Sequence, residues 1–388
     1  MTSRLLSANH AAGLAAVMAA RANRTARGFC AAVYPITPQT ECIEFLSSQA
    51  IEKGHVVHVE SEHSAMGVCL GASATGARSF TASSSNGLAY MAENLIAAAL
   101  LRLPIVIAAV NRTLGPPWSI WADHGDSLLF RDSGCIQIYC ADNQEVFDSI
   151  LLAFRLAEDP SVLVPAMVCL DGFVLSHTLC QTEVPEQEVV DRLLPAMDLP
   201  HRLTDTPVIF GGLAASPRQI EVHRYRHQDA LDHVLEIYPA VQDEFEQALG
   251  RRPGNPVVHY RTEDAETVLL SAGSLASTVE RAVDMARDKG ERVGSLRLRM
   301  VRPFPFDHLR RALEGRRHVA VLDRDISLGF GGILGGEIRG CVPPGAAMQD
   351  YVVGLGGGDV RPEHVLDLVG DLRLRPDSPR SHLVEVGR

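Results

Sequence analysis

Short apolar runs alternate with longer helical stretches through the first half of the chain. Runs of strand length lie at Cys30–Val33, His55–Val59, Ser79–Ala82, Pro104–Val110 and Ser161–Leu170. The segments between them, several of them rich in alanine, have the periodicity of helices. A first helix is predicted through His10–Ala20, with Asn9 as its capping residue. Strands that alternate with helices indicate a parallel sheet covered on both faces.

The pattern weakens between Glu183 and about Tyr260, where proline, histidine and charged residues become more frequent. We interpret this stretch as an irregular extension of the first domain followed by a linker. Strands return at Ala265–Ala272, Val293–Arg299 and His318–Asp323. The predicted fold class is therefore α/β, with two open parallel-sheet domains at residues 1–256 and 257–388.

The charge and hydropathy of the chain exclude some classes of protein. The 388 residues carry a formal net charge of -11, which argues against broad nucleic-acid binding because that depends on a basic surface. The longest apolar stretch, Leu95–Val110, is broken by Arg102 and Pro104 and is too short to span a bilayer. The start of the chain has no apolar core of signal-peptide length. We expect a cytoplasmic protein without membrane contact.

The eight cysteines include no C-x-x-C pair, and several lie within apolar runs. Zinc sites and iron–sulfur clusters both need closely spaced thiolates. We therefore expect buried cysteines that act as small hydrophobic side chains, and no metal site in this chain.

Polar residues gather where the predicted strands of the first domain end, which is where open α/β sheets bind their ligands. Glu60 and Glu62 follow one strand, and either could be a charge at a helix N-terminus or a placed hydrogen-bond partner. Arg112 could grip a carboxylate with both arms of its guanidinium group, or take part in an interface salt bridge. His124, between Asp123 and Asp126, could be a general base, a metal ligand or part of a structural turn.

These segments also resemble, in order and over nearly the whole chain, the alpha subunit of pyruvate:ferredoxin oxidoreductase and of its 2-oxoacid relatives. The motifs that carry the resemblance are Tyr34–Thr40 (YPITPQT), Val59–Met66 (VESEHSAM), Leu103–Val106 (LPIV), Asp123–Ser127 (DHGDS), Cys169–His177 (CLDGFVLSH), Val301–Pro305 (VRPFP), Asp323–Gly332 (DRDISLGFGG) and Gly354–Val360 (GLGGGDV). The fold that this resemblance implies is a thiamine-diphosphate pyrimidine-binding domain followed by a smaller transketolase-C-terminal-like domain.

The resemblance also implies roles for individual residues. Glu62 matches the family glutamate that hydrogen-bonds the pyrimidine ring nitrogen and so promotes loss of the thiazolium proton. Thr37 matches a threonine at the substrate end of the site, and Arg112 matches the arginine that binds the 2-oxoacid carboxylate. Three further residues are expected to contact the cofactor, namely Pro35, Ile36 and Asn86.

The implied reaction is oxidative decarboxylation of a 2-oxoacid, with pyruvate as the first expectation, to acyl-coenzyme A and carbon dioxide. Electrons would pass to ferredoxin through iron–sulfur clusters on gamma and delta (ferredoxin-like) partner subunits. A beta subunit would bind the diphosphate and Mg²⁺. This division of labour agrees with the sequence, which has no GDG segment followed by paired asparagines. The chain should be active only with its partners.

Several positions depart from the family pattern. Thr113 and Trp118 stand near Arg112 where small residues are common, so the pocket could fit a substrate other than pyruvate. Asn86 replaces a usual glutamine, and His10 replaces a commonly acidic residue.

Other interpretations remain at this stage. A thiamine enzyme that does not use ferredoxin, of the transketolase or 2-oxoacid dehydrogenase type, is the nearest, and an oxalate-type oxidoreductase subunit is another. A non-catalytic scaffold would not need Thr37, Glu62 and Arg112 together. The glycine loop Gly329–Gly336 lacks the spacing of a nucleotide-binding loop.

Overall fold

A computed structural model describes residues 1–204, 207–374 and 378–385. Its strands are β1 Thr2–Leu6, β2 Phe29–Val33, β3 Gly54–His58, β4 Arg78–Ser83, β5 Ile105–Asn111, β6 Ile136–Tyr139, β7 Ala166–Asp171, β8 Cys180–Val184, β9 Val257–Tyr260, β10 Thr267–Ser271, β11 Val293–Leu298, β12 Met300–Arg302, β13 His318–Asp323, β14 Ala347–Val352 and β15 His382–Leu383. Its α-helices are α1 Ala8–Ala22, α2 Thr40–Ser47, α3 Glu62–Ala74, α4 Ser85–Tyr90, α5 Ala92–Leu100, α6 Gly125–Leu128, α7 Asn143–Ala157, α8 Gln187–Leu193, α9 Pro217–Leu249, α10 Leu275–Asp288, α11 Phe306–Leu313, α12 Ile333–Ile338 and α13 Pro362–Leu374.

The first sheet has seven strands in the order β12-β6-β7-β5-β4-β2-β3. Strands β2 to β7 are parallel to their neighbours, and β12 is antiparallel to β6. Apolar helix faces cover this sheet, and one core cluster joins α1 and α7 to it. Because its strands are parallel, their carboxyl ends meet at one edge of the sheet.

The second sheet has six strands in the order β15-β14-β13-β10-β11-β9. All are parallel to their neighbours except β9, which is antiparallel to β11. A further two-stranded antiparallel sheet joins β1 to β8. The α/β fold class with two parallel-sheet units is confirmed.

The two large sheets are tied together in two ways. Strand β12 belongs to the second half of the sequence but forms an edge strand of the first sheet. The buried carboxylate of Asp171, at the end of β7, accepts hydrogen bonds from Ser274 N (3.0 Å) and Arg324 Nη1 (3.1 Å) of the second half. His124 Nε2 completes this cluster, 2.9 Å from Asp171 Oδ1.

The expected irregular extension after Glu183 was wrong, since much of it is the 33-residue helix α9. Its buried hydrophobic residues recur at helical spacing, namely Ala230, Leu231, Val234, Tyr238, Val241, Phe245 and Leu249. The polar face between them hides this pattern, and Pro239 inside the helix suggests a break. Tertiary packing of the apolar stripe explains why the helix forms.

The capping residue of the first helix was also wrong. Ser7 caps α1, and its side chain accepts the backbone N–H of His10. Asn9 is buried inside the helix, where its Nδ2 donates to Pro38 O at 2.7 Å and to Glu41 Oε2 at 2.9 Å. Asn9 therefore anchors the loop after β2.

No helix among residues 1–204, 207–374 and 378–385 is both long and apolar enough to cross a bilayer. All cysteines except Cys30 and Cys180 are buried.

Candidate active site

The carboxyl ends of the parallel strands place several predicted residues at one edge of the first sheet. The loop after β2 carries Thr37, α3 after β3 begins at Glu62, and β5 leads into Arg112. Crevices outside the carboxyl ends of such strands are where open α/β sheets bind ligands.

Glu62 is the first residue of α3, and its side chain is only 7% exposed. Its helix is capped by Ser61, whose side chain accepts the backbone N–H of Ser64. No hydrogen bond or ion pair to the Glu62 carboxylate is present within the described part of the chain. A buried carboxylate without a donor is costly, so this one fits a ligand that brings a hydrogen-bond donor.

Gly87 forms the wall opposite Glu62. A Cβ added to Gly87 would lie 2.5 Å from Glu62 Oε1 and 2.4 Å from Ser83 Oγ. The hydroxyl of Ser83 there and that of the adjacent Ser84 are buried without hydrogen-bond partners among the described residues. The carboxylate thus lies in a cradle that has space only because residue 87 lacks a side chain. This cradle, with an unpaired carboxylate and unpaired hydroxyl groups, fits the polar edge of a thiamine pyrimidine ring.

Arg112 and Thr37 meet directly at the same edge. Arg112 Nη1 donates to the backbone oxygen of Thr37 at 2.7 Å, while Arg112 Nε is buried without a partner among the described residues. Gly172 allows this approach, since a Cβ there would lie 2.6 Å from Asn111 O and 2.7 Å from Pro38 Cγ. Burial lowers the pKa of Arg112, and the nearby Asp126 carboxylate opposes that effect. The guanidinium group remains a cation with donors to offer an anion.

The remaining predicted cofactor contacts lie nearby. Asn86 Oδ1 accepts from Gly115 N at 3.2 Å and lies 3.1 Å from Ser85 Oγ, so this amide binds the loop after Arg112. Pro35 is exposed and Ile36 is half-buried in the loop before Thr37.

Asp126 lies beneath this site and was not singled out from the sequence. It is fully buried, and burial raises the pKa of its carboxyl group to about 7 against the opposing effect of its hydrogen bonds. Those hydrogen bonds come from Asn111 Nδ2 (2.7 Å), Ser85 N (2.8 Å), Ser127 N (2.8 Å) and Arg112 N (3.1 Å). Its place in the sequence, two residues after His124, carries no signal of this role.

His124 takes the structural alternative. Its ring is 1% exposed, Nε2 bonds Asp171, and the ring edge packs against Tyr139 at a centroid distance of 5.0 Å. Although burial alone would raise it, His124 and Arg324 hold the pKa of Asp171 well below its usual range. The histidine therefore belongs to the contact between the two sheets.

The structure shows where the residues near Arg112 that depart from the family pattern lie. Thr113 Oγ1 donates to Ser119 O at 3.1 Å, and Thr113 N donates to Trp121 O at 3.1 Å, so Thr113 closes the loop. Trp118 is 70% exposed. Trp121 packs against Phe173, with ring centroids 5.1 Å apart. The effect of Trp118 on substrate choice stays a prediction.

Two family matches cover most of the chain. Residues 22–243 match the family described as "Pyruvate flavodoxin/ferredoxin oxidoreductase, thiamine diP-bdg". Residues 265–365 match "Pyruvate:ferredoxin oxidoreductase core domain II".

Relatives of similar length have related names. "Pyruvate synthase subunit PorA" of Methanothermobacter thermautotrophicus is 41% identical over 391 residues, which is 100% of this chain and 98% of that one. "Ketoisovalerate oxidoreductase subunit VorA" of Pyrococcus furiosus is 42% identical over 379 residues, covering 95% of this chain and 93% of that one.

Among solved structures, the fold is similar to that of a 2-oxoglutarate:ferredoxin oxidoreductase from Magnetococcus marinus, with a TM-score of 0.76 and 20% identity. The match covers 95% of this chain but only 65% of that chain's length. At this identity the likeness is evidence for the fold alone.

Proposed function

Because this chain belongs to the family of 2-oxoacid:ferredoxin oxidoreductase alpha subunits, we propose that it supplies the pyrimidine side of a thiamine-diphosphate site through Glu62, Thr37 and Arg112. The observation that carries the proposal is the buried Glu62 carboxylate, which lies against Gly87 without a donor among the described residues. The enzyme is a ferredoxin-linked 2-oxoacid oxidoreductase that binds thiamine diphosphate.

Glu62 would accept a hydrogen bond from the pyrimidine ring of the cofactor. Thiamine diphosphate, when bound, supplies the carbon nucleophile that adds to the 2-oxo carbon. The part of Glu62 is to hold the ring and to fix its protonation. Little water reaches this carboxylate, so the bond would be stronger than one in solvent.

Arg112 would bind the carboxylate of the 2-oxoacid. Its Nη1 donates to Thr37 O, and its Nε has no partner in the part of the chain that the structure describes, so donors remain to meet an anion. Thr37 lies at the same point and would place its hydroxyl at the substrate end. Pro35, Ile36 and Asn86 would shape the surrounding loops.

The other half of the site would come from partner subunits. We assign Mg²⁺ and the diphosphate to a beta subunit, and the iron–sulfur clusters to gamma and delta subunits. The absence of a GDG segment with paired asparagines from the sequence supports this division. Two electrons would leave for ferredoxin as the 2-oxoacid and coenzyme A give carbon dioxide and acyl-coenzyme A. The cytoplasmic location stays a prediction.

Pyruvate is the first proposed substrate and 2-oxoisovalerate the second, because relatives named for each are about equally similar in sequence. The family membership favours both over a thiamine enzyme that does not use ferredoxin. An oxalate-type reaction has no specific observation in its favour.

The test uses the chain assembled with its partner subunits. Dye reduction would be measured with pyruvate, 2-oxoisovalerate, 2-oxoglutarate, an aryl pyruvate and oxalate, in the presence of coenzyme A and thiamine diphosphate. Glu62→Gln should lower kcat by about 100-fold or more, because it replaces the acceptor aimed at the cofactor. Glu60→Gln is the matched control, since Glu60 is exposed and bonds Ser64.

Arg112→Lys keeps the charge but loses the forked donor geometry, so KM for the 2-oxoacid should rise. A complex that binds thiamine diphosphate but reduces no dye with any of these acids would exclude the proposed reaction. Equal activity in Glu62→Gln and Glu60→Gln would exclude the role of Glu62.

A further inference from the structure

One buried carboxylate connects the two halves of the candidate site. Asp126 Oδ2 accepts both Ser85 N at 2.8 Å and Arg112 N at 3.1 Å. Its Oδ1 accepts Asn111 Nδ2 at 2.7 Å and Ser127 N at 2.8 Å. The proposed chemistry assigns no step to Asp126.

The Ser85 bond fixes the wall of the Glu62 cradle. Ser85 begins α4, two residues before Gly87, and its φ of 50° is one that residues other than glycine rarely adopt. The bond from its backbone N–H to Asp126, and the bond from its hydroxyl to Thr113 O at 2.5 Å, hold it there. The position of Gly87 against Glu62 therefore depends on Asp126.

The Arg112 bond fixes the substrate side. The same oxygen that holds Ser85 N also holds the backbone N–H of Arg112, at the end of β5. The Asn111 side chain next to it reaches both Asp126 and, at 2.6 Å, Ser127 Oγ. The carboxylate that holds the wall of the Glu62 cradle therefore also fixes the backbone position from which the Arg112 side chain extends.

We propose that Asp126 is a positioning residue that fixes the distance between the cofactor cradle at Glu62 and the carboxylate-binding guanidinium group of Arg112. This inference rests on the proposed function, because it concerns the distance between the bound ring and the bound 2-oxoacid. A displacement of about 1 Å between reacting groups can cost on the order of 100-fold in rate. A shared anchor prevents the two walls from moving independently.

The role requires two acceptor oxygens rather than only a side chain of the same shape. All four bonds described above bring N–H donors to the two oxygens. An asparagine in either orientation would turn its own NH₂ group towards two of these donors. Asp126→Asn therefore loses two of the four bonds in either orientation without changing the volume, and the N–H groups that then face one another push the side chain away from Ser85 N and Arg112 N.

The experiment measures two binding constants in the assembled complex. The KM of the 2-oxoacid comes from dye reduction, and the Kd of thiamine diphosphate comes from titration calorimetry of the cofactor-free complex with Mg²⁺. Asp126→Asn should raise both by about tenfold, the loss expected for a hydrogen bond to a charged group. A rise in both supports the shared anchor, and an unchanged value of either one overturns it.

The matched control is Asp148→Asn. Asp148 is also buried and also bonded at both oxygens, to Arg251 at 2.7 and 2.8 Å, but it lies on α7. Its variant should lose stability while KM and Kd keep their wild-type values. If it raised both constants as much as Asp126→Asn, general destabilisation would explain the result and the proposal would fail.

A milder variant covers the case in which Asp126→Asn does not assemble. Asn111→Ala removes one side-chain donor to Asp126 and should raise both constants by about threefold; unchanged constants would overturn the proposal. Failure of this inference is separable from failure of the proposed function. If the Asp126 and Asn111 variants keep wild-type KM and Kd while Glu62→Gln is inactive, only the positioning role of Asp126 is rejected. If Glu62→Gln is fully active, the proposed function itself is rejected.

Discussion

At the scale of single residues, the site depends as much on a glycine without a side chain as on functional groups. Glu62 stays accessible to a ligand because residue 87 has no Cβ to fill the cradle. The strand ends indicated Glu60, Glu62 and Arg112 as candidates, and the family resemblance selected Glu62 and Arg112 among them. The sequence could not indicate Gly87 or Asp126, because their importance lies in contacts between loops that are distant in the chain.

Gly87→Ala should weaken binding of the cofactor while the fold survives. The new methyl group would come within 2.5 Å of both Ser83 Oγ and Glu62 Oε1, so the carboxylate must turn away. We expect the Kd of thiamine diphosphate in the assembled complex to rise by at least about tenfold, for the loss of one charged hydrogen bond.

Gly71→Ala is the control for that substitution. Gly71 lies on α3, the helix of Glu62, and a Cβ there would meet nothing within 4 Å. It should stabilise the chain by about 0.5–1 kcal/mol through the helix preference of alanine, with unchanged cofactor binding. Normal cofactor binding by Gly87→Ala would show that the cradle is not the binding place.

At the scale of elements, prediction succeeded where burial and sequence pattern agree. The predicted strands at β2, β3, β4, β5 and β13 lie within a residue or two of their observed positions. Strands β6 and β14 were not predicted from the sequence, and each includes buried polar residues. Gln137 of β6 donates to Ser127 O at 2.8 Å, and Asp350 of β14 is 3% exposed. Buried polar residues of this kind are stable because the fold supplies their hydrogen-bond partners.

Helix α9 allows a direct test of whether that segment is docked or merely links two units. Phe245 is fully buried on this helix, so Phe245→Ala should cost about 3–5 kcal/mol of unfolding free energy. Tyr225→Ala, on the exposed face of the same helix, should change it by less than about 0.5 kcal/mol. Urea unfolding of the purified chain measures both, and equal effects would contradict a docked helix.

At the scale of the whole molecule, the contact between the two sheets is electrostatic as well as apolar. Asp171 receives donors from His124, Ser274 and Arg324, three segments from both halves of the chain. Sequence analysis placed Asp171 in a motif, but the residues that meet it are more than 40 positions away. Only the packing of the two sheets brings them together.

This contact should make stability sensitive to acid. The folded pKa of Asp171 is depressed, so its contribution is fully present above the ordinary aspartate pKa of about 3.9 and fades as pH falls towards the folded value. Asp171→Asn should cost about 3–5 kcal/mol at pH 7, because it leaves the buried Arg324 guanidinium group without its ionic partner.

The gap between Asp171→Asn and wild type should narrow below about pH 4, as measured by urea unfolding at pH 7, 5 and 3.5. Asp198→Asn removes a largely exposed carboxylate, paired with Arg202 at 2.8 Å, and should leave unfolding unchanged at each pH. A gap that stayed constant down to pH 3.5 would mean that Asp171 does not act through its charge.

The path of β12 determines whether the two halves can be separated. Met300–Arg302 cover one side of β6, so a fragment ending at residue 256 would expose the backbone donors and acceptors that face them. Uncovered strand edges recruit other chains. Such a fragment should therefore aggregate although most of its own sheet is intact, and co-expression with residues 257–388 should restore solubility. Evolutionary separation of the two halves into independent genes would require a new cover for that edge.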